Sequence, residues 1–404
     1  MIVIIMAAGK STRTHPLTMT RPKPLLKVAN RTILEHQLDA LHGIASEVVL
    51  VVGYRAEQIQ KAFGDRYKDL PIRYVTQTEQ RGTGHALLQC ADVAQAPFMA
   101  VNGDDIFSAA DLKALAETEQ GALAKEVADP SLYGVYERGA DGRAAGLTEK
   151  PENPVSALAN MGAYRFTPEV FGVLREVTPS PRGEIEITSA IEVLINKGRF
   201  DIIEAHGFWL PIGYPWHLLE ANEFLLNDAL RPAIEGEVSP AAHVNGAVVI
   251  GRGSTVRPGA VIDGPAIIGR NCTIGPNCWI RPGTSIGDNC KAGQAVEIKN
   301  SILMDGAAVP HLSYVGDSVL GENVNLGCGT VTANFRHDGK NMTTLVKGVK
   351  VETGRRKLGA FLGDGVHTGV NTSIYPGRKL WPHVCTTPGQ VVTHDIEADP
   401  DAEP

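Results

Sequence analysis

The chain has 404 residues, 43% hydrophobic and 21% charged, an ordinary balance for a globular protein with room for two domains. A formal charge of -7 argues against a nucleic-acid partner, which selects for a basic face, but leaves small phosphorylated substrates open. Six cysteines without a CxxC pair exclude a disulfide framework, and no apolar run approaches a signal peptide or membrane span, so a cytoplasmic protein without membrane contact is expected.

In chain order, Ile2–Met6, Glu47–Val52 and residues 98–101 read as buried strands. Residues 33–41 and 112–117 read as the helices between them. Such alternation predicts right-handed βαβ units, an α/β domain built on a Rossmann-like, mostly parallel sheet over residues 1–230. A helix over 218–230 closes it, and the Pro- and Gly-bearing stretch 231–243 reads as a linker. From Ile250 an aliphatic residue then returns every sixth position: Val256, Ile262, Ile268, Ile274, Ile280 and Ile286. Period six is neither helical nor simple strand alternation; it marks a left-handed parallel β-helix of hexapeptide repeats, expected over 244–394. The phase returns at Leu320, Leu326 and Thr332, and again from Leu362 to Thr386. Two slips, around 305–319 and 333–360, predict extruded loops. Cys272, Cys278 and Cys290 fall where a small side chain points inward, which suits core packing better than metal binding. The acidic tail 395–404 reads as disordered.

After the first strand comes Ala7-Ala8-Gly9-Lys10-Ser11-Thr12-Arg13, small residues that let backbone N–H groups approach a phosphate, with cations beside them. A P-loop would need glycine at position 5, where Ile5 stands, and GxGxxG is absent. The longer run AAGKSTRTHPLTMTRPKPLLKV resembles the signature of sugar-1-phosphate nucleotidylyltransferases. That resemblance implies nucleotide contacts from Ala7, Ala8, Gly9 and Lys10, a triphosphate role for Arg13, and contact between Lys23 and the transferring phosphate. The segment 80–86, QRGTGHA, is similar to the base-binding segment of the uridylyltransferases of N-acetylglucosamine 1-phosphate, which implies Gln80, Gly82 and Thr83. By the same likeness Asp104 is a magnesium ligand, and Gly134, Glu149, Lys150 and Asn160 form the sugar-phosphate pocket. The family's second acidic metal ligand precedes Gly-x-Pro; here Pro211 stands in its place.

The segment 310–317, PHLSYVGD, lies where the hexapeptide phase slips and resembles the acetyltransferase domain of bifunctional enzymes making UDP-N-acetylglucosamine. This implies His311 as the base, with Arg281, Lys299, Tyr314, Asn334 and Lys340 binding the acetyl acceptor. The chemistry suits the residue type, since an ammonium must lose a proton before attacking a thioester and a histidine titrates near ~6.5. The resemblance implies a nucleoside triphosphate (UTP or dTTP), a sugar 1-phosphate, Mg²⁺ and acetyl-CoA as partners, with assembly as a homotrimer through the β-helix. Two rivals stay open at this level: nucleotidyl transfer alone on a structural β-helix, and a catalytically silent scaffold.

Overall fold

The computed structural model describes residues 1–180, 183–198 and 200–397. It divides into two compact units: Met1–Lys10, Pro22–Leu25 and Ile33–Pro211 form one, and Ser11–Arg21, Leu26–Thr32 and Ile212 onward form the other.

In the first unit, Ile2–Met6 pairs in parallel with Glu47–Val52 and with Phe98–Asn102, and Glu47–Val52 with Leu70–Thr76. Both faces of this parallel centre are covered, so its strands are apolar almost without interruption. Ile4, Val49, Val51 and Phe98 pack with the helices Thr83–Leu88, Glu169–Glu176 and Ile187–Asn196. The alternate residues Val3, Ile5, Val48 and Leu50 pack with Ile33–Ala40, Ala56–Phe63 and Ala109–Ala116. Antiparallel strands extend the sheet: Leu158–Phe166 joins Phe98–Asn102 and also Gly121–Glu126, and Gly134–Arg138 pairs with Ala144–Glu149. A separate short ladder sets Trp209–Pro211 against Asp105–Phe107, with Pro211 opposite Asp105.

The second unit is the β-helix, three parallel sheets of eight, five and eight strands. The sixfold aliphatic positions fill its interior: Ile250, Val256, Ile262, Ile268, Ile274, Ile280 and Ile286 are all at most 1% exposed. Its corners demand left-handed backbone, which asparagine and glycine adopt at least cost. Thus Asn271 sits at φ 55° above Gly253 at φ 77°, where an added Cβ would meet the Asn271 Oδ1 at 2.3 Å. Cys272, Cys278 and Cys290 point inward as expected, and no group of three or more potential metal ligands occurs among the described residues.

Four expectations are corrected. Residues 231–243 are not a linker: Ala233–Ile234, Glu237–Val238 and His243–Asn245 are the first coil, paired with Val248–Ile250, Thr255–Val256 and Val261–Asp263. The helix, His217–Ala229, belongs to the β-helix unit because its buried Asn222 donates to the Gly283 carbonyl (2.9 Å) and accepts from the Ser285 hydroxyl (2.7 Å). The slip at 305–319 is not a loop. Ile280 pairs with Ile298, eighteen residues on, but Ile286 pairs with Leu303 and Leu303 with Leu320, each seventeen on. One side is shortened by a residue in two successive coils. The second slip is extruded, as the hairpin Thr343–Val346 and Val349–Glu352. Of the acidic tail, 398–404 lie outside the described residues, while Ile396 bridges Leu380 and continues the coil.

Candidate active sites

In the first unit, the parallel strands end in loops from which ligands are usually held in open α/β sheets. The Ala7 N–H donates to the Val51 carbonyl (2.8 Å) and the Ala8 carbonyl accepts from Tyr54 (3.0 Å), so the start of the signature is pinned between strands. Gly9 and Lys10 beyond it are exposed. Gly103 lies against this turn; a Cβ there would come within 2.7 Å of the Met6 carbonyl. Lys23 is 2% exposed, and its Nζ donates to the half-exposed Asp104 Oδ2 at 2.8 Å. Gln37 fixes the loop by donating to the carbonyls of Asn102 and Asp105, each at 2.6 Å. Burial and then the neighbouring Asp104 push the Asp105 carboxyl well above the usual range, against the pull of Lys23. Asp105, 7% exposed and held in register opposite Pro211, has a carboxyl whose ionised form burial disfavours, so it does not replace the acid missing at Pro211. Asp104 therefore fits magnesium only as a single carboxylate, with the remaining ligands left to substrate phosphate and water.

Gln80 and Thr83 are exposed. Gly82, at φ 104°, fits because a Cβ would meet the Ile185 carbonyl at 2.4 Å. Gln77, which sequence reasoning missed, is 3% exposed and donates to the Gly82 carbonyl at 3.2 Å while lying 3.0 Å from His85 Nδ1. Gly134 pairs with Glu149. Lys150 takes a left-handed φ of 46°, its N–H donating to the Tyr133 carbonyl at 2.9 Å. Asn160 donates to the Tyr164 hydroxyl (2.9 Å) and accepts from the Gly162 N–H (3.1 Å). The residues expected to form a sugar pocket are thus held by backbone pairing and short hydrogen bonds.

Arg13 belongs to the other compact unit, on the single turn Thr12–Thr14. Its guanidinium lies 5.6 Å from the Tyr214 ring centroid. The basic residues flanking Lys23 serve structure: Arg21 pairs with Glu322 and Asp364, and Lys27 Nζ lies 2.5 Å from Asp305 Oδ2.

The shortened coils build the second site. Where the side loses a residue, Asp317 turns left-handed (φ 49°) and is buried to 1% exposure. Its carboxylate accepts from Lys299 Nζ (3.2 Å), Asn300 Nδ2 (2.9 Å) and Asn334 Nδ2 (2.6 Å). Asn334 also donates to the Tyr314 hydroxyl at 3.0 Å. Lys299, Tyr314 and Asn334 thus meet around an aspartate that the motif contains but to which no role was assigned. Arg355, also unforeseen, reaches Asp317 Oδ1 at 4.0 Å and Glu220 at 3.6 Å. Arg281 stands 4.6 Å over the Trp279 ring and 2.7 Å from Glu297 Oε1. Glu297 and Tyr314 are register partners on adjacent coils. His311 ends the strand Ala308–His311 at an exposed corner, one turn of backbone before Tyr314, and its carbonyl accepts from the Ser313 hydroxyl at 2.7 Å. Lys340 lies on the extruded segment, where its N–H donates to Asp338 Oδ1 (3.2 Å); among the described residues no contact joins it to the Asp317 network.

No helix among the described residues is long and apolar enough to cross a membrane. The family model "Nucleotidyl transferase" matches residues 2–228, and "GMPPB C-terminal domain" matches 262–383. The "Bifunctional protein GlmU" of Methanococcus maripaludis is 40% identical over 401 residues, 99% of this chain and 96% of that protein. The "Bifunctional sugar-1-phosphate nucleotidylyltransferase/acetyltransferase" of Sulfurisphaera tokodaii is 36% identical, over 98% of each. A Bacillus anthracis structure described as a candidate glucose-1-phosphate thymidylyltransferase overlays 55% of this chain and 95% of its own, with TM-score 0.51 at 26% identity. Chains that carry both halves are matched along nearly their whole length, and this chain belongs to the family of bifunctional sugar-1-phosphate nucleotidylyltransferase/acetyltransferases.

Proposed function

We propose that the enzyme acetylates glucosamine 1-phosphate with acetyl-CoA and transfers a uridylyl group from UTP to the resulting sugar 1-phosphate. One observation carries this reading. In each half a lysine is withdrawn from water to face a carboxylate, Lys23 with Asp104 and Lys299 with Asp317. Such pairs are a costly way to build a platform and a common way to build a site.

In nucleotidyl transfer, a sugar-1-phosphate oxygen attacks the nucleotide α-phosphorus in line and pyrophosphate leaves. The attacking phosphate is already anionic, so positioning and charge neutralisation by Lys23 and Arg13 do the work and no general base is required. Magnesium carried on the triphosphate, with Asp104 as its protein ligand, would supply further charge neutralisation. Gln80, Gly82 and Thr83 take the base, and Gly134, Glu149, Lys150 and Asn160 the sugar phosphate. The base would be uracil rather than thymine: 80–86 resembles the segment of uridylyltransferases, and the UTP--glucose-1-phosphate uridylyltransferase AglF of Haloferax volcanii is 42% identical over 240 residues.

In acetyl transfer, His311 removes a proton from the acceptor ammonium. The amine attacks the thioester carbonyl, and the tetrahedral centre collapses with loss of the CoA thiolate, which is then protonated. Lys299, Tyr314 and Asn334, fixed by Asp317, would hold the acceptor, with Arg281 and Lys340 on its phosphate. One sheet of the β-helix exposes Trp279, Val331, Tyr375 and Val391, 38–54% accessible, which supports side-by-side assembly as a trimer. Pro211 favours a second reading, in which the nucleotidyl half is slow and demands high magnesium.

The test is a matrix of UTP and dTTP against glucose, glucosamine and N-acetylglucosamine 1-phosphates, read as pyrophosphate release, beside CoA release with glucosamine 1-phosphate. UTP with N-acetylglucosamine 1-phosphate should be the fastest pair. A chain that releases neither pyrophosphate nor CoA would be the silent scaffold.

A further inference from the structure

The β-helix unit contains a cavity of about 310 Å³ whose lining, apart from Arg13, has no part in either proposed reaction. Its size is that of a small ligand site. The turn 12–15, the tip of the extruded hairpin and the last described coil all contribute to its wall. Arg13, Lys347 and Lys379 line it as cations, the last with its pKa lowered by burial, and His15 and His394 stand beside them. Two carboxylates oppose these. They are Glu397 and Asp395, the latter accepting from the Lys379 N–H at 3.0 Å, lying 3.7 Å from Arg378 and attracting the Lys379 ammonium, against three cations in the lining. Positive charge therefore exceeds negative, and the His15 imidazole registers the excess: burial lowers its pKa first, then Lys347 and Lys379.

Two local features have no structural rationale of their own. Lys379 is 3% exposed, its Nζ donates to the Leu345 carbonyl, and among the described residues no carboxylate forms an ion pair with it. Lys347 occupies the first turn position of the hairpin at φ 51°, followed by Gly348 at φ 76°. Asparagine or glycine is the usual occupant there, and a lysine accepts strain. Its cation is what that strain retains at the cavity wall.

We propose that this cavity binds the phosphate group of a small metabolite and thereby controls Arg13. A phosphate dianion matches three cations and two imidazoles, and Trp381 offers an apolar wall for the body of a phosphate ester. Control follows because Arg13 is shared: a side chain bound to phosphate here is not free for the triphosphate. This second step rests on the proposed triphosphate role of Arg13; the binding step does not.

Calorimetry on the full chain tests binding, with inorganic phosphate in one arm and a hexose 6-phosphate, which has no anomeric phosphate to react, in the other. Lys347→Gly suits the positive φ and removes the charge, so the turn remains intact, and Lys347→Arg restores the charge. Phosphate affinity should fall roughly tenfold in Lys347→Gly and recover in Lys347→Arg. Tighter binding of the ester than of free phosphate identifies an esterified metabolite as the ligand; equal binding identifies free phosphate. Lys23→Ala should lose pyrophosphate release and keep phosphate binding, which separates failure of the nucleotidyl reading from failure of this one. Wild-type phosphate affinity in Lys347→Gly, or its loss in Lys23→Ala, would overturn the site. Binding without any phosphate dependence of the wild-type nucleotidyl rate would overturn the control of Arg13.

Discussion

Asp317→Asn is the sharpest perturbation of the acetyl-transfer site, because it changes charge without changing shape. The native carboxylate is 1% exposed and accepts three hydrogen bonds, from Lys299, Asn300 and Asn334. An amide there can accept at one position only: keeping the Asn300 bond at Oδ1 turns its NH2 toward both Asn334 and the Lys299 ammonium, which share Oδ2, and the reverse orientation sets it against Asn300. Removing one partner of a buried pair costs about 3–5 kcal/mol. The Lys299 side chain is 19% exposed and can recover some hydration, so the lower end, about 3 kcal/mol, applies. For a domain of this size that lowers Tm by roughly 6–12 °C. Acetyl transfer, assayed well below that Tm as CoA release, should fall roughly a hundredfold, because Asn334 no longer fixes the Tyr314 hydroxyl and small misplacements are costly. Lys299→Met in the same chain should return much of the stability but none of the activity, a split that a purely structural network would not produce. CoA release within twofold of wild type in Asp317→Asn would refute the assignment of this network to the acceptor.

The remaining predictions concern single groups. His311→Ala should cut acetylation by roughly 10²–10⁴-fold and leave pyrophosphate release unchanged; near wild-type CoA release would remove His311 from the base role. Pro211→Asp restores a carboxylate opposite Asp105 and should lower the magnesium needed for half-maximal nucleotidyl transfer roughly ten- to a hundredfold; an unchanged titration would mean the second ligand comes from elsewhere. Asp105→Asn should stabilise the protein in a pH-dependent way. The native carboxyl is raised, so folded and unfolded chains are both protonated below the ordinary carboxylate value of 3.8, and the native chain loses stability as pH rises through it. The Tm gain of the variant should therefore grow as pH rises above about 4, and a gain independent of pH would contradict the buried, raised carboxyl.

Sequence carried the β-helix core almost residue by residue, because one interior position per six residues must be apolar or small wherever the coil runs. It failed where the interior does not decide. At 231–243 the strands are two or three residues long and most of their side chains face solvent, so turn-forming composition outweighed pairing that is visible only sixteen to eighteen residues away. At 305–319 a five-residue side and an extruded loop both break the period in one dimension. Only the partners, seventeen residues apart, distinguish them.

The same limit governs the sites. Motif segments located Lys23, Asp104, Lys299, Tyr314 and Asn334, because their spacing along the chain is fixed by strand ends and coil corners. Asp317 stood in plain view within the acetyltransferase-like segment, but its burial follows from the shortened side that stacks it on Asn300. Asp105 is the converse case. Beside Asp104, and across from a proline where an acid would be expected, it is the obvious replacement ligand in one dimension. Register reverses that inference. Pro211 opposite Asp105 keeps the short ladder closed, and the carboxyl inside it is 7% exposed and raised in pKa. A group that resists ionisation is a weak magnesium ligand, since the metal binds the ionised form that burial disfavours. On the proposed reading Asp104 is the carboxylate left to coordinate, and a dependence on substrate-borne magnesium would follow from the ladder rather than from the motif.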